Sequence, residues 1–205
     1  MKINLLLFIS LFCFINLNAQ KDYIITVDGE AYEIDLGDKK SIKINGKSVE
    51  IGLRKKDTLI LDENYFQLKY TKEHKISRVK IEEGIEQLML MTAGGSGVIV
   101  QKYDAFNPTM LREMMLSEVT KESVSYGYSM KREDYETTLT SGDTIKVLKA
   151  VLEYKGETEV YEIAAHGRKD EGILVMTMNL NISDDVEDGG NEMIKLLWDS
   201  LKIKK

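Results

Sequence analysis

Cysteine is nearly missing from this sequence, in which Cys13 is the only one. It lies inside an apolar run near the start of the chain, in a segment that we expect to be removed. The rest of the chain would then contain no disulfide, no thiol nucleophile and no cysteine-ligated metal. Its stability would depend on the burial of apolar surface, for which the length of the chain is sufficient.

A block of basic residues is missing as well. The chain carries 28 lysines and arginines against 34 acidic residues, a formal net charge of −6. The two signs are interspersed, as on an ordinary soluble surface. We therefore expect no nucleic acid as a partner and no attraction to anionic lipid head groups.

The start of the chain has the pattern of a secretory signal peptide. Lys2 precedes an apolar run over residues 5–15, and Ala19 stands before Gln20. This run is shorter than the roughly 20 apolar residues that a membrane-spanning helix needs. We predict a signal peptide over residues 1–19, cleavage near Ala19-Gln20, and a mature protein that is periplasmic or extracellular.

Lipidation at Cys13 is an alternative to this cleavage. The preceding residues Ser10, Leu11 and Phe12 argue against it, because small residues normally precede a lipidated cysteine. We therefore favour cleavage after Ala19.

Residues 20–61 predict a small β-hairpin extension. Two pairs of short alternating segments are joined by Asp28-Gly29 and by Asn45-Gly46. Such dipeptides favour hairpin turns, because both turn positions need a positive φ. Two hairpins bury little surface alone, so we expect the extension to pack onto the larger part.

Residues 62–205 predict a larger domain with two helices. Asn107-Pro108 supplies the cap and the first-turn residue of one helix, and Trp198 lies on the apolar stripe of the last helix. Tightly linked strands between these helices predict an antiparallel meander. The predicted fold class is α+β, an antiparallel sheet covered by helices with an N-terminal β-hairpin extension. The predicted buried face of the first helix comprises Leu111, Met114, Met115 and Val119.

Three stretches of residues 64–205 resemble the PsbP-like (DcrB-like) family. They are an opening strand over residues 65–70, a first helix over 108–115 and a closing helix over 194–203. The family's usual proline after Tyr70 is missing. The resemblance implies an α/β/α sandwich and a binding or accessory role, because the family shares no catalytic residues.

Tyr126, Tyr128 and Tyr135 form an aromatic-rich segment after the first predicted helix. Exposed tyrosines suit a surface that binds a partner, whereas strand tyrosines often cover a sheet face. We favour the structural interpretation and keep these three residues as the possible binding surface.

Other motifs give weaker signals. His74 and His166 are the only histidines, fewer than the three or four ligands of a zinc site, and no metal site is predicted from them. Residues 94–97, Gly-Gly-Ser-Gly, indicate a hairpin turn, because strand-like residues follow where a phosphate-binding loop needs a helix. A dispersed His–Asp–Ser arrangement stays open.

The densest acidic stretch contains Asp184, Asp185 and Asp188. Clustered oxygen ligands suit calcium, but the spacing of a calcium-binding loop is absent. Acids before or in the first turn of a helix are also favoured by the helix dipole. We leave calcium binding open and favour the dipole explanation.

These observations predict an exported, monomeric, non-catalytic module that binds another envelope or secreted protein. No cofactor is expected, because the chain shows no compact catalytic or cofactor motif. One alternative is a carrier of a small apolar ligand, since methionine-rich helices over a sheet can leave an adaptable pocket. The other is a hydrolase built from dispersed residues.

Overall fold

The structure is a computed structural model that describes residues 21–181 and 189–204. The chain divides into two compact units, one up to Lys55 and one from Lys56 onward. Over the described ranges, no helix is long and apolar enough to span a membrane. The predicted signal peptide and the acidic stretch with Asp184, Asp185 and Asp188 lie outside these ranges.

The first unit contains two β-hairpins. Strand β1 (Tyr23–Val27) pairs with β2 (Glu30–Ile34), and β3 (Lys39–Ile44) pairs with β4 (Lys47–Gly52), both antiparallel. Both residues of each turn dipeptide have a positive φ, the geometry that Asp-Gly and Asn-Gly adopt at little cost. The two predicted hairpins are confirmed.

Most of the second unit is one antiparallel sheet of eight strands. Its strands are β7 (Ser77–Glu82), β8 (Ile85–Met91), β9 (Gly97–Tyr103), β10 (Ser129–Arg132), β11 (Tyr135–Thr138), β12 (Thr144–Tyr154), β13 (Glu157–Gly167) and β14 (Gly172–Asn181). The spatial order is β10-β12-β13-β14-β9-β8-β7, and β11 pairs with β12 beyond the end of β10. Strands β12 to β14 are the predicted meander.

A second sheet in this unit has three strands. Strands β5 (Thr58–Asp62) and β6 (Phe66–Thr71) form a hairpin, and β15 (Lys202–Ile203) pairs with the other side of β6. The predicted boundary between residues 61 and 62 falls inside β5. The end of the described chain is held further by a bond from the Lys204 N–H to the Tyr65 carbonyl oxygen at 2.8 Å.

Two α-helices pack on opposite faces of the large sheet. A 3₁₀ turn (Pro108–Leu111) leads into α1 (Arg112–Tyr126), and α2 (Gly190–Ser200) lies near the end of the chain. The Asn107 side chain accepts a bond from the Thr109 N–H at 3.0 Å. This is the cap that the sequence predicts.

One face of the large sheet, here the closed face, is covered by α2 together with the three-stranded sheet. Period-2 alternation directs every second side chain of the strands into this layer. Its buried core joins Leu88, Val100, Val147 and Val175 of the large sheet to Phe66, Leu68, Leu197 and Ile203.

The opposite face, here the α1 face, is covered by α1 and the 3₁₀ turn. Helix α1 contacts β12 and β13, and the 3₁₀ turn contacts β13 and β14. The buried core here includes Leu116, Leu148, Ile163 and Leu174. The α1 face over β8 and β9 buries Tyr103 at the end of β9, and its other apolar side chains there, such as Ile85 and Ile99, are partly buried.

The start of the helical segment approaches the β13–β14 hairpin closely. A Cβ atom on Gly172 would lie 2.6 Å from the Pro108 Cδ atom and 2.6 Å from the His166 carbonyl oxygen. A Cβ atom on Gly167 would collide with the Asn107 side chain. Both positions therefore need glycine because other chain atoms occupy the space.

The predicted fold class is wrong. Strands make up 53% and helices 17% of the structure, which is mostly antiparallel β and not an α/β/α sandwich or an α+β domain covered by helices. The two helices are too few to cover eight strands. The three-stranded sheet covers part of one face, and α1 packs mainly on two strands of the other, β12 and β13.

The predicted buried face of α1 is also wrong in part. Met114 is 57% exposed, whereas Leu116 and Thr120 are buried. The Thr120 hydroxyl donates to the Leu116 carbonyl oxygen at 2.8 Å, so a polar residue is accommodated where the apolar pattern indicated none.

Candidate binding surface

The end of α1 brings two of the three predicted tyrosines together. Gly127 ends the helix with φ of 118°, and its N–H donates to the carbonyl oxygens of Ser123 and Val124. A left-handed residue at this position favours glycine. The chain reverses there, so that Tyr126 at the end of α1 and Tyr128 before β10 lie side by side.

A third tyrosine, which the sequence analysis missed, completes this cluster. The Tyr154 ring lies 5.4 Å from the Tyr126 ring and 5.3 Å from the Tyr128 ring, centroid to centroid. The Tyr128 hydroxyl donates to Glu157 Oε2 at 2.7 Å, and this bond raises the pKa of Tyr128 to about 12. Tyr126 is 71% exposed, so its ring is available for contact.

Tyr135 does not join this tyrosine cluster. It lies on β11 opposite Val147, which is buried in the closed face. Its hydroxyl donates to Glu162 Oε1 at 3.0 Å. Burial, and then the negative charge of Glu162, raise the pKa of Tyr135.

Glu162 is the centre of a buried polar cluster on the closed face. It is 9% exposed, and its Oε2 accepts from Trp198 Nε1 at 2.8 Å and from Thr177 Oγ1 at 3.1 Å. With Tyr135, three neutral donors from three elements thus satisfy one carboxylate. This arrangement ties α2 to the sheet and fixes the position of Trp198.

A second group of charges lies at the other end of the closed face. Glu63 interacts with Arg78 and Lys102, and both cations also contact Glu86. Burial acts to raise the pKa of Glu63, but hydrogen bonds from Arg78 and Lys102 outweigh it and lower that pKa. The four charges neutralise one another, which suits a structural role.

A groove lies between α1 and the edge strand β10; we refer to it as the α1–β10 groove. It has a volume of about 430 Å³. Leu116, Val124 and Met130 contribute apolar surface, and Glu113, Lys121 and Arg132 contribute charge. Val124 and Met130 are 44% and 47% exposed, so much of this apolar surface faces solvent.

One end of the groove is closed by an ion pair between its walls. Arg132 Nη1 on β10 lies 3.0 Å from Glu113 Oε2 on α1, and Arg132 Nη2 lies 2.9 Å from Asp134 Oδ2. The hydrogen bonds that Arg132 donates to Asp134 and then to Glu113 raise the pKa of Arg132. The groove continues toward Val124, which lies two residues before Tyr126 and the tyrosine cluster.

The histidines lie apart from this groove. His74 Nδ1 is 2.7 Å from Thr71 Oγ1. His166 lines a cleft with Tyr65, Arg168 and Glu171 that has a volume of only about 10 Å³, and no serine lines this cleft. The described residues contain no group of three His, Cys, Asp or Glu side chains that could hold a metal ion.

The predicted turn at residues 94–97 is confirmed as the β8–β9 hairpin. The Thr92 N–H donates to the Ser96 carbonyl oxygen at 2.8 Å, and Gly95 has φ of 89°. Ser96 Oγ accepts from the Leu180 N–H at 3.0 Å. The hydroxyl thus holds the turn against β14.

Comparisons with known proteins do not define a family for this chain. No family model and no curated protein matches it. It is similar to a protein from Bacteroides thetaiotaomicron VPI-5482, whose crystal structure was solved at 1.50 Å, with 10% identity and a TM-score of 0.38. The alignment covers 73% of this chain and 48% of the other, so this chain spans about half of that protein's length. The resemblance to the PsbP-like family stays a prediction.

Proposed function

We propose that this chain is an exported, non-catalytic module that binds a segment of another envelope or secreted protein in the α1–β10 groove. The observation that carries this proposal is the exposed apolar surface inside the groove. Val124 and Met130 are both more than two-fifths exposed. Apolar side chains left open to water and rimmed by polar residues are typical of protein-binding sites.

The surroundings of the groove support the same function. Tyr126 and the tyrosine cluster extend the contact surface beyond Val124, and tyrosine is enriched at protein interfaces. The Glu113–Arg132 pair limits the groove at the other end. A partner segment would therefore have apolar contacts in the middle of the groove and an aromatic surface at one end.

Site-specific photocrosslinking in cells tests this function. The full chain would carry p-benzoylphenylalanine at position 124 and, as a control, at position 60, where Ile60 is 55% exposed on β5. We expect one defined protein adduct from position 124, identified by mass spectrometry, and none from position 60. Identical adducts from both positions, or none from position 124, would contradict the proposal.

Export has its own test. The intact mass of the protein recovered from the envelope or the medium should correspond to a chain that starts at Gln20. A full-length mass in the cytoplasm, or a diacylglycerol adduct on Cys13, would contradict the proposed export by signal cleavage.

The volume of the groove also favours a second candidate function, the binding of a small apolar ligand. Small-molecule sites commonly have volumes of roughly 300–1,000 Å³, and the groove falls in this range. Met130 supplies a flexible, polarisable side chain. Native mass spectrometry after mild purification separates the candidates, because a co-purifying ligand favours the carrier and a bare mass favours the protein-binding role.

A further inference from the structure

We propose that the partner segment binds in an extended conformation and adds a strand to the free edge of β10. This inference rests on the proposed function of the α1–β10 groove, and it specifies how that groove recognises its partner. In this mode, backbone hydrogen bonds hold the segment, and alternate side chains enter a neighbouring groove to give specificity.

The first support is the position of β10 in the sheet. It is the last strand of the order β10-β12-β13-β14-β9-β8-β7, so one side pairs with β12 and no described strand pairs with the other. All four of its residues are exposed. An edge strand of this kind presents unpaired backbone donors and acceptors.

The second support is the register of β10. The Glu133 N–H donates to the Lys149 carbonyl oxygen at 2.9 Å, so the backbone of Glu133 faces β12. Backbone groups alternate in direction along an antiparallel strand. The N–H and C=O groups of Arg132 and Met130 therefore face the free edge.

The same two residues line the groove. Met130 is opposite Leu152 and Arg132 is opposite Ala150, and both of these partners are buried in the core of the α1 face. The side chains of Met130 and Arg132 therefore lie on the α1 side of the sheet. An added strand would accordingly direct every second side chain towards α1, into the groove beside Val124.

The charges define the partner further. Arg132 is already paired with Glu113 and Asp134, whereas Lys121 contacts Glu118 only at 3.9 Å and has a side chain that is 71% exposed. We expect a partner segment with alternate apolar residues for the groove and an acidic residue for Lys121.

A second copy of this chain fits the edge less well. Antiparallel pairing of two β10 strands centred on Lys131 would place Lys131 opposite Lys131. Pairing centred on Arg132 would place Arg132 opposite Arg132, whereas pairing centred on Met130 would bring no like charges opposite each other. Like charges directly opposite each other destabilise a sheet, so two of the three registers disfavour a second copy.

Phage-displayed random peptides supply a probe for which no natural partner is needed. Peptides selected on the full exported chain would be counter-selected on Val124→Asp. The best peptide would then be made in two versions, here called frames. One is N-methylated at every odd backbone position and the other at every even position. We expect one frame to weaken binding by about tenfold and the other to have little effect, because only one set of N–H groups faces β10.

Substitution on the protein side gives an independent measurement. Met130→Pro removes an outward N–H that is not used in the β10–β12 ladder, and proline is tolerated on edge strands. Met130→Ala is the matched control, since it removes the same side chain and keeps the N–H. We expect Met130→Pro to bind the peptide about three- to tenfold more weakly than Met130→Ala, with thermal unfolding recorded for both.

The outcomes separate this inference from the proposed function. Equal binding of both N-methylated frames, with a preserved loss in Val124→Asp, overturns strand addition and leaves groove binding intact. Selected peptides that bind Val124→Asp as well as the unaltered chain overturn the groove as the site. Failure to enrich any peptide overturns strand addition. The proposed binding function is then tested separately by crosslinking from position 124. If the chain forms a dimer that Met130→Pro dissociates, the β10 edge binds a second copy of this chain, and the proposal of a different partner protein is overturned.

Discussion

The two faces of the large sheet differ in how completely they are covered. The closed face is sealed by α2 and by a second sheet, and it buries a carboxylate with three donors. The α1 face is covered over β12 and β13, and at one edge it leaves a groove that exposes Val124 and Met130. The better sealed face and the proposed binding groove thus lie on opposite sides of one sheet.

This difference shows that the extent of burial and hydrogen bonding on a sheet face need not follow the length of the helix that covers it. Helix α2 has 11 residues and α1 has 15, yet the shorter helix lies on the better sealed face. The three-stranded sheet completes the cover beside α2, and no comparable layer flanks α1 in the described second unit. We therefore expect substitutions at the rim of the α1 face to cost less stability than substitutions in the buried core of the closed face.

The largest expected effect is a loss of core packing on the closed face. Phe66 is fully buried, so Phe66→Ala should reduce the free energy of unfolding by about 3–5 kcal/mol. Met114→Ala, on the exposed side of α1, should change it by less than about 0.5 kcal/mol. Denaturant unfolding measures both variants. Equal losses would remove the contrast between the two faces.

The next effect concerns the buried carboxylate. Glu162→Ala leaves the donors of Trp198, Thr177 and Tyr135 without their acceptor, and should cost about 2–3 kcal/mol. Glu162→Gln should cost less, because its amide oxygen can still accept. Trp198 is the only tryptophan, so its fluorescence reports this site directly. An unchanged spectrum and midpoint in Glu162→Ala would show that the cluster does not anchor α2.

A smaller effect appears at high pH on the α1 face. Burial, and then the charge of Glu159, raise the pKa of Tyr161 to about 12. In the unfolded chain, tyrosine ionises near about pH 10. The stability contributed by protonated Tyr161 is therefore fully present below that pH and is lost as the pH rises toward 12.

Tyr161→Phe should accordingly flatten the alkaline loss of stability. We expect a difference of about 1–2 kcal/mol in the fall of unfolding free energy between pH 10 and 12. Denaturant unfolding at several pH values measures this slope. A steeper decline in the variant would contradict the assignment.

The smallest effect on stability is expected inside the groove. Val124→Asp should change the free energy of unfolding by less than about 0.5 kcal/mol, because the side chain is largely exposed. With p-benzoylphenylalanine placed at position 126, beside the groove, the unaltered chain should give a defined adduct, and Val124→Asp should remove it. A variant that unfolds would instead assign Val124 to the core of the α1 face.

Local chemistry explains which elements were predictable. Asp28-Gly29, Asn45-Gly46 and the Asn107 cap act within a few residues, and each appears in the structure where the sequence indicates it. Strands β12 to β14 were predictable for a similar reason, since apolar segments joined by tight polar links identify a meander.

The missed elements lack such local signals. Every residue of β7 is exposed, and β15 has only two residues, so both depend on pairing with a neighbouring strand. The predicted burial of Met114 was wrong because the apolar period does not specify how far a helix rotates against a sheet. The burial of Glu162 had one usable signal in the sequence, because it is a single acidic residue among the apolar residues of a strand.

The close approach of Pro108 to Gly172 links a distant hairpin to the width of the groove. A methyl group on Gly172 would push the 3₁₀ turn outward, and α1 continues directly from that turn. One wall of the groove would then shift while β10, held by β12, stayed in place. Gly172→Ala is thus expected to alter what the groove admits without changing any residue that lines it.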